Sequence, residues 1–273
     1  MDPDKENYEI LQINNGYKCD LNHLINNIKN NNRVIFTKFG DGEYNCMIHT
    51  VGNNCDGDTY TNDLGDKLKE AFNELSYLSK DDDGIYIGKW HSDVQIMLRY
   101  YSSIFYDFLK EKESNLINIP FVDYHYCYNE HRHFGENKDL YNFVKTIQEI
   151  NKYKLVVSNE ENVKLSLIFK VNNYITIPPN SWYANNLYDK LYNAIDNQLN
   201  NYNDAIVILS AGLATKVLIK DLAIKYKNAS FIDIGSGFDL LARKRMTRQW
   251  YDCKEHGYLD EYNYYKDLLP IDF

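Results

Sequence analysis

The chain has 273 residues, 44% of them hydrophobic and 25% charged, with a net charge of −9, an ordinary globular composition long enough for one large domain. The acidic balance excludes a general nucleic-acid or membrane-surface binder, which needs a basic face, so any phosphate chemistry must be local. No apolar run approaches the roughly 20 residues of a membrane span, and the acidic N-terminus does not read as a signal peptide, which makes the cytoplasm the simplest compartment.

In chain order, Asp20 is placed to N-cap a helix carrying Leu21, Leu24, Ile25 and Ile28 on one face. The apolar run Val34–Thr37 reads as a first buried strand, broken sharply by Gly40-Asp41-Gly42. Further strands are expected at Gly84–Gly88, Leu116–Pro120, Lys154–Ser158, Tyr174–Ile177, Ala205–Ser210 and Ser230–Ile234. Helical periodicity falls between them, at Asp63–Leu78, Asp93–Lys110, Asp139–Ile150, Glu160–Phe169, Ala184–Leu199, Leu213–Tyr226 and Phe238–Tyr251. Such alternation indicates βαβ units, and so a single Rossmann-like α/β domain over 1–273, with a mostly parallel sheet and helices on both faces.

Ligands of such sheets bind beyond the carboxyl ends of the strands. The polar and glycine-rich segments fall there repeatedly, after the first, second, fourth, fifth, sixth and last strands. Lys38-Phe39-Gly40-Asp41-Gly42-Glu43 is the most informative of them. Its Asp-x-Glu pair offers hard oxygen ligands to Mg²⁺ or Mn²⁺, and its glycines let a diphosphate approach the backbone. On its own the segment reads equally well as a tight turn with two solvated acids.

Ser210-Ala-Gly212-Leu-Ala-Thr215-Lys216 opens a helix after a very apolar strand. A helix N-terminus suits phosphate, and Thr215 and Lys216 could add a donor and a charge, although the spacing is not that of a P-loop. The bland alternative is a tight strand-to-helix turn. Phe231-Ile-Asp233-Ile-Gly235-Ser236-Gly237-Phe-Asp239 resembles the first motif of S-adenosylmethionine methyltransferases, where the glycine turn lies against the cofactor. That motif normally opens a Rossmann domain and here it would close one. Asp239 reads alternatively as a helix-start acid, and Asp233 as a strand residue that orients a neighbouring loop.

Other features carry less. His125, Cys127, His131 and His133 could bind zinc or form a structural loop. Trp90-His91 and Trp182-Tyr183 read as core or rim aromatics, and Arg243, Arg245 and Arg248 as a basic helix face. The five cysteines are scattered without C-x-x-C spacing, so neither a disulfide framework nor a zinc ribbon follows.

Lys38-Phe-Gly-Asp-Gly-Glu43 resembles the R-F-G-D-G-E signature of the GT-D glycosyltransferases. Gly84–Gly88, the segment Ile177-Pro-Pro-Asn-Ser-Trp-Tyr183 followed by Asp189, and Ile208–Gly212 with Ala214–Leu218 and Asp233–Gly235 agree with that family in order and spacing. The resemblance implies a metal-dependent transferase, using Mn²⁺ or Mg²⁺, that moves a sugar from a nucleotide diphosphate sugar, a UDP-sugar first, to a glycan or glycoprotein acceptor. It assigns Asp41 and Glu43 as the metal and catalytic pair. It places Lys38, Phe39, Gly40, Ser210, Gly212, Thr215, Lys216, Asp233, Gly235, Ser236 and Asp239 around the donor. Lys38 replaces the family's Arg, a point charge in place of a bidentate fork, and Ser236 stands where a His is expected. A methyltransferase and a non-catalytic sugar-nucleotide or glycan-binding module remain as alternatives. The sugar, the acceptor and the oligomeric state are not legible.

Overall fold

A computed structural model describes residues 21–54, 57–79, 81–89, 116–118, 139–178, 181–244 and 258–273. Among the described residues seven strands form one sheet: β1 (Ile35–Lys38), β2 (Ile85–Lys89), β3 (Leu116–Asn118), β4 (Tyr153–Asn159), β5 (Asn173–Ile177), β6 (Ala205–Ser210) and β7 (Ser230–Asp233). Their order is β3-β2-β1-β7-β6-β4-β5, and every pairing is parallel. All seven expected strands are present, with ends moved by one or two residues. The continuous runs Ile35-Phe36-Thr37, Leu155–Ser158 and Ala205–Leu209 are buried throughout, as strands covered on both faces must be.

The helices are α1 (Leu21–Lys29), α2 (Asp41–Met47), α3 (Asn62–Leu78), α4 (Asp139–Glu149), α5 (Leu165–Ile168), α6 (Tyr188–Leu199), α7 (Thr215–Lys225), α8 (Asp239–Arg243) and α9 (Tyr258–Tyr265). In α1, Leu21, Leu24, Ile25 and Ile28 form the buried stripe. In α3, the Thr61 hydroxyl caps the first turn by accepting from Leu64 N at 3.1 Å, and Leu64, Leu68, Phe72 and Leu75 face inward. Right-handed crossovers put α3, α6 and α7 on one face of the sheet and α4 and α5 on the other. The packing of α3 and α6 on α7, and of α1 on α4, agrees. No described helix is long and apolar enough to cross a membrane.

Three expectations change. Glu160–Phe169 is not one helix but a 3₁₀ turn over Glu160–Asn162 followed by the single turn α5. Gly40-Asp41-Gly42 does end β1, but as the start of α2 and not as a tight turn. Gly40 is its extended N-cap residue (φ −103°, ψ −169°), and Glu43 at the third helical position reaches back to accept from Gly40 N at 2.8 Å, half of a capping box. The helix expected over Phe238–Tyr251 covers only Asp239–Arg243 before Lys244 turns left-handed at φ 56°, and the C-terminal helix α9 was not expected. The helix expected at Asp93–Lys110, the Asp20 cap, the His125–His133 cluster and Trp90-His91 lie outside the described residues, as do Arg245 and Arg248.

The sheet has a switch point where β1 meets β7. The chain leaves β1 toward α3 on one face. It leaves β7 toward α8, which packs beside the 3₁₀ turn on the opposite face. In open sheets of this kind the ligand crevice lies beyond the carboxyl ends of two such strands, and Gly40–Glu43 and Asp233–Gly237 follow β1 and β7 at that edge.

Candidate active site at the carboxyl edge of the sheet

Three buried charged groups meet beneath this crevice. The Lys216 ammonium, in the first turn of α7, lies 2.6 Å from Glu43 Oε1 and 2.9 Å from Asp233 Oδ2, and donates to Gly212 O at 3.4 Å. Each of the four carboxylate oxygens has a donor. Glu43 Oε2 takes Gly40 N at 2.8 Å, Asp233 Oδ1 takes Gly235 N at 3.0 Å, and Asp233 Oδ2 also takes Lys38 N at 3.3 Å. Burial alone would push the Lys216 ammonium down, but Asp233 and Glu43 outweigh it and hold it above the ordinary lysine value. Removing one member of such a group leaves a buried charge uncompensated, at a cost of roughly 3–5 kcal/mol.

Lys216 is therefore not a free cation waiting for phosphate. The loop that enters α7 is also held from within, by the protein's own Asp58. Asp58 Oδ2 accepts from Leu213 N at 3.3 Å and from Asn54 Nδ2 at 3.2 Å, and Oδ1 accepts from Ser181 N at 2.7 Å. Gly212 has φ +74°, and a Cβ there would stand 2.4 Å from Asp58 Oδ2. Only glycine tolerates both the conformation and that approach. Asp58 ties together the loops after β1, β5 and β6, and sequence reasoning missed it among the Asn, Gly and Asp residues of its loop.

A second polar cluster sits at the ends of β4 and β6. Asn162 Nδ2 donates to Ser158 Oγ at 3.1 Å and to Asp239 Oδ1 at 3.2 Å, while its Oδ1 accepts from Arg243 Nε at 2.7 Å. Arg243 also pairs with Glu161 at 2.9 Å and Asp239 at 3.5 Å. Asp239 is thus the first residue of α8 and a partner of Asn162 and Arg243. Ser210 O accepts from Ser158 Oγ at 2.9 Å. Burial, with Asp239 nearby, pushes the neighbouring Tyr174 phenol up to about 12. Asn162, buried in a stretch read as a helix, carried no signal that could have marked it.

The other expected site residues divide by position. Phe39 is core, edge-to-face on Phe72 with ring centres 5.0 Å apart. Thr215 is fully buried, and its hydroxyl has no hydrogen-bond partner among the described residues. Ser236 is buried in the turn after β7. Trp182 is core too, donating from Nε1 to Ala211 O at 2.6 Å. Lys38 reaches across the Gly235 turn, and among the described residues no carboxylate pairs with its ammonium. Asp41 opens α2 at the carboxyl end of β1.

No group of three or more His, Cys, Asp or Glu that could hold a metal ion occurs among the described residues. Glu43 as placed does not fit a ligand set. A divalent ion on its carboxylate would face the Lys216 ammonium across the same group, a repulsion of roughly several kcal/mol even at an effective dielectric of about 20.

No family model and no curated protein sequence matches the chain. Solved structures do. A new glycosyltransferase (DUF1792) from Streptococcus sanguinis aligns with a TM-score of 0.58 at 15% identity, over 87% of this chain and 91% of that one. The highly conserved domain of unknown function 1792, described as having a distinct glycosyltransferase fold, aligns at 0.50 and 18% identity, over 93% of this chain and 90% of that one. A selenomethionine-substituted structure of the same domain gives 0.52, 17%, 93% and 90%. At these identities the likeness speaks to the fold, and the fold is that of the GT-D resemblance.

Proposed function

We propose that this chain is a glycosyltransferase that takes a nucleotide diphosphate sugar, a UDP-sugar first, and passes the sugar to a glycan or glycosylated acceptor. One observation carries the reading: in a fold shared over about nine-tenths of the chain with structures described as glycosyltransferases, Asp41 stands at the end of β1 beside the switch point. The Lys38 ammonium is the cation suited to the donor diphosphate, since Lys216 is consumed internally. The Gly235-Ser236-Gly237 turn supplies backbone on the facing side. Within the acidic pair, the engagement of Glu43 leaves Asp41 as the residue to meet a Mn²⁺ or Mg²⁺ ion. Such an ion would neutralise charge on the leaving diphosphate.

The methyltransferase alternative finds no support in the glycine turn. A cofactor there would lie against Gly235, where the Lys38 side chain runs, and Asp233 is bound to Lys216 and to two backbone amides.

A thermal-shift screen of UDP, GDP, ADP, UDP-sugars and S-adenosylmethionine, each with and without Mn²⁺, tests the reading. A ligand at 100 times its Kd stabilises by about 2.7 kcal/mol, a shift of roughly 5–10 °C for a chain of this size. UDP-sugars should shift the protein with Mn²⁺ and be hydrolysed. Stabilisation by S-adenosylmethionine alone would favour the methyltransferase. Metal-dependent UDP binding without turnover on any donor would favour a binding module, and no response to any nucleotide sugar would sink the proposal.

A further inference from the structure

We infer that Glu43 is a positioning residue: with Lys216 and Asp233 it closes a brace that fixes the backbone on either side of the β1–β7 crevice and leaves Asp41 alone to meet the ligand. The assignment of Asp41 rests on the transferase reading; the brace does not.

The brace is closed by count as well as by distance. An ammonium has three protons, and Lys216 has three acceptors, at 2.6, 2.9 and 3.4 Å. The two carboxylates have four oxygens, and each receives a donor. The side chains of Glu43 and Lys216 are buried to within 9% and 4% of complete, and that of Asp233 to within 1%. Neither carboxylate is turned toward solvent, as a metal ligand or a general base facing an acceptor hydroxyl would have to be.

The amides that the brace holds belong to Lys38, Gly40 and Gly235. Two of them lie within the three residues before Asp41, and the third opens the turn after the neighbouring strand β7. Glu43 reaches back over the first turn of α2 to do this, so it determines how that turn leaves β1 and where Asp41 begins. Lys216 carries the same constraint to α7, and Asp233 carries it to the glycine turn. The second acid of the Asp-x-Glu spacing thus sets the geometry in which the first one works.

Two readouts test this. The first is a stability cycle on Glu43→Gln and Lys216→Met. Glu43→Gln alone should lower the unfolding temperature by about 5–10 °C, and Lys216→Met by at least as much. In the Lys216→Met background, adding Glu43→Gln should cost nothing or restore stability, because it removes one of two uncompensated carboxylates. Additive losses, or no loss for Glu43→Gln, would overturn the brace. If Lys216→Met does not fold, Lys216→Arg replaces it, and the loss caused by Glu43→Gln should then shrink.

The second readout is UDP binding as a function of Mn²⁺, measured at a temperature where every variant is folded. Asp41→Asn should abolish the metal dependence. Glu43→Gln should weaken binding by about 10-fold, the lower range for residues that orient a ligand-binding group, while keeping that dependence. Loss of metal dependence in Glu43→Gln at an unchanged unfolding temperature would overturn the inference. If the wild-type protein shows no metal-dependent UDP binding, the transferase reading fails, and the stability cycle judges the brace by itself.

Discussion

Lys38 lies across Gly235 so closely that a Cβ there would stand 3.0 Å from its Nζ and 3.3 Å from its Cδ. The turn after β7 and the strand end of β1 are therefore fitted to one another through an absent side chain, with Gly235 in the left-handed region at φ +50°.

Gly235→Ala should act on both consequences. The left-handed conformation costs a non-glycine residue about 1–2 kcal/mol, to be seen in the urea midpoint. Displacing Lys38 should also weaken nucleotide binding. Adding Lys38→Met to Gly235→Ala should relieve part of the crowding without returning the affinity, which separates the steric contribution of Lys38 from its charge.

The Asp58 clasp predicts a coupled pair. Gly212→Ala places a Cβ 2.4 Å from Asp58 Oδ2 at φ +74°, and should cost about 2–4 kcal/mol. Asp58→Ala removes the acceptor for Leu213 N and Ser181 N and should cost about 2–3 kcal/mol. The double variant should lose less than the two singles together, because the clash disappears with the carboxylate. Chemical denaturation of the four proteins decides it.

Arg243 offers an internal contrast. Its contact with Glu161 is half exposed, whereas Asn162 is fully buried. Glu161→Gln should stay within about 0.5 kcal/mol of wild type. Asn162→Ala, which removes a partner from Asp239 and Arg243 together, should cost about 2–4 kcal/mol.

Cys46 should be inert in the folded protein. Burial, with a smaller push from Glu43 and Asp58, raises its thiol to about 11, although a hydrogen bond to Thr61 O opposes this. A raised folded-state value means that the neutral form stabilises the fold below the unfolded thiol's range near 8.5–9, and that this contribution is lost as pH climbs toward 11. Alkylation of the Cys46 peptide, followed by mass spectrometry at pH 8, should be slow until the protein is denatured.

The strands were legible because a parallel sheet covered on both faces writes itself as continuous apolar runs, and Ile206–Leu209 and Val34–Phe36 are such runs. The gathering of the polar loops at one edge followed from the same pattern, since every strand points one way. Helix α2 was misread because Gly-Asp-Gly is a breaker by local rules. What makes it a helix start is the reach of Glu43 back to Gly40. The role of Lys216 was hidden for another reason. A lysine in the first turn of a helix reads as a phosphate ligand, and only the fold brings Glu43 to it from α2 and Asp233 from β7. Asp58 follows the same logic, an acid in a polar loop whose partners Ser181 and Leu213 come from two other loops. Asp233 was the exception in part: one of its two readings was a strand residue that orients a neighbouring loop, and it accepts from Gly235 N in the turn that follows.

The carboxyl edge between β1 and β7 is proposed to bind and activate a nucleotide sugar through Asp41. The most direct test is the rate of UDP release from UDP-sugars with Mn²⁺ present, comparing wild type with Asp41→Asn at matched folded fraction. Wild type should release UDP measurably and Asp41→Asn about 100-fold or more slowly, as expected for a carboxylate that meets the reacting complex. Equal rates in the two proteins, or release by neither on any sugar nucleotide, would contradict it.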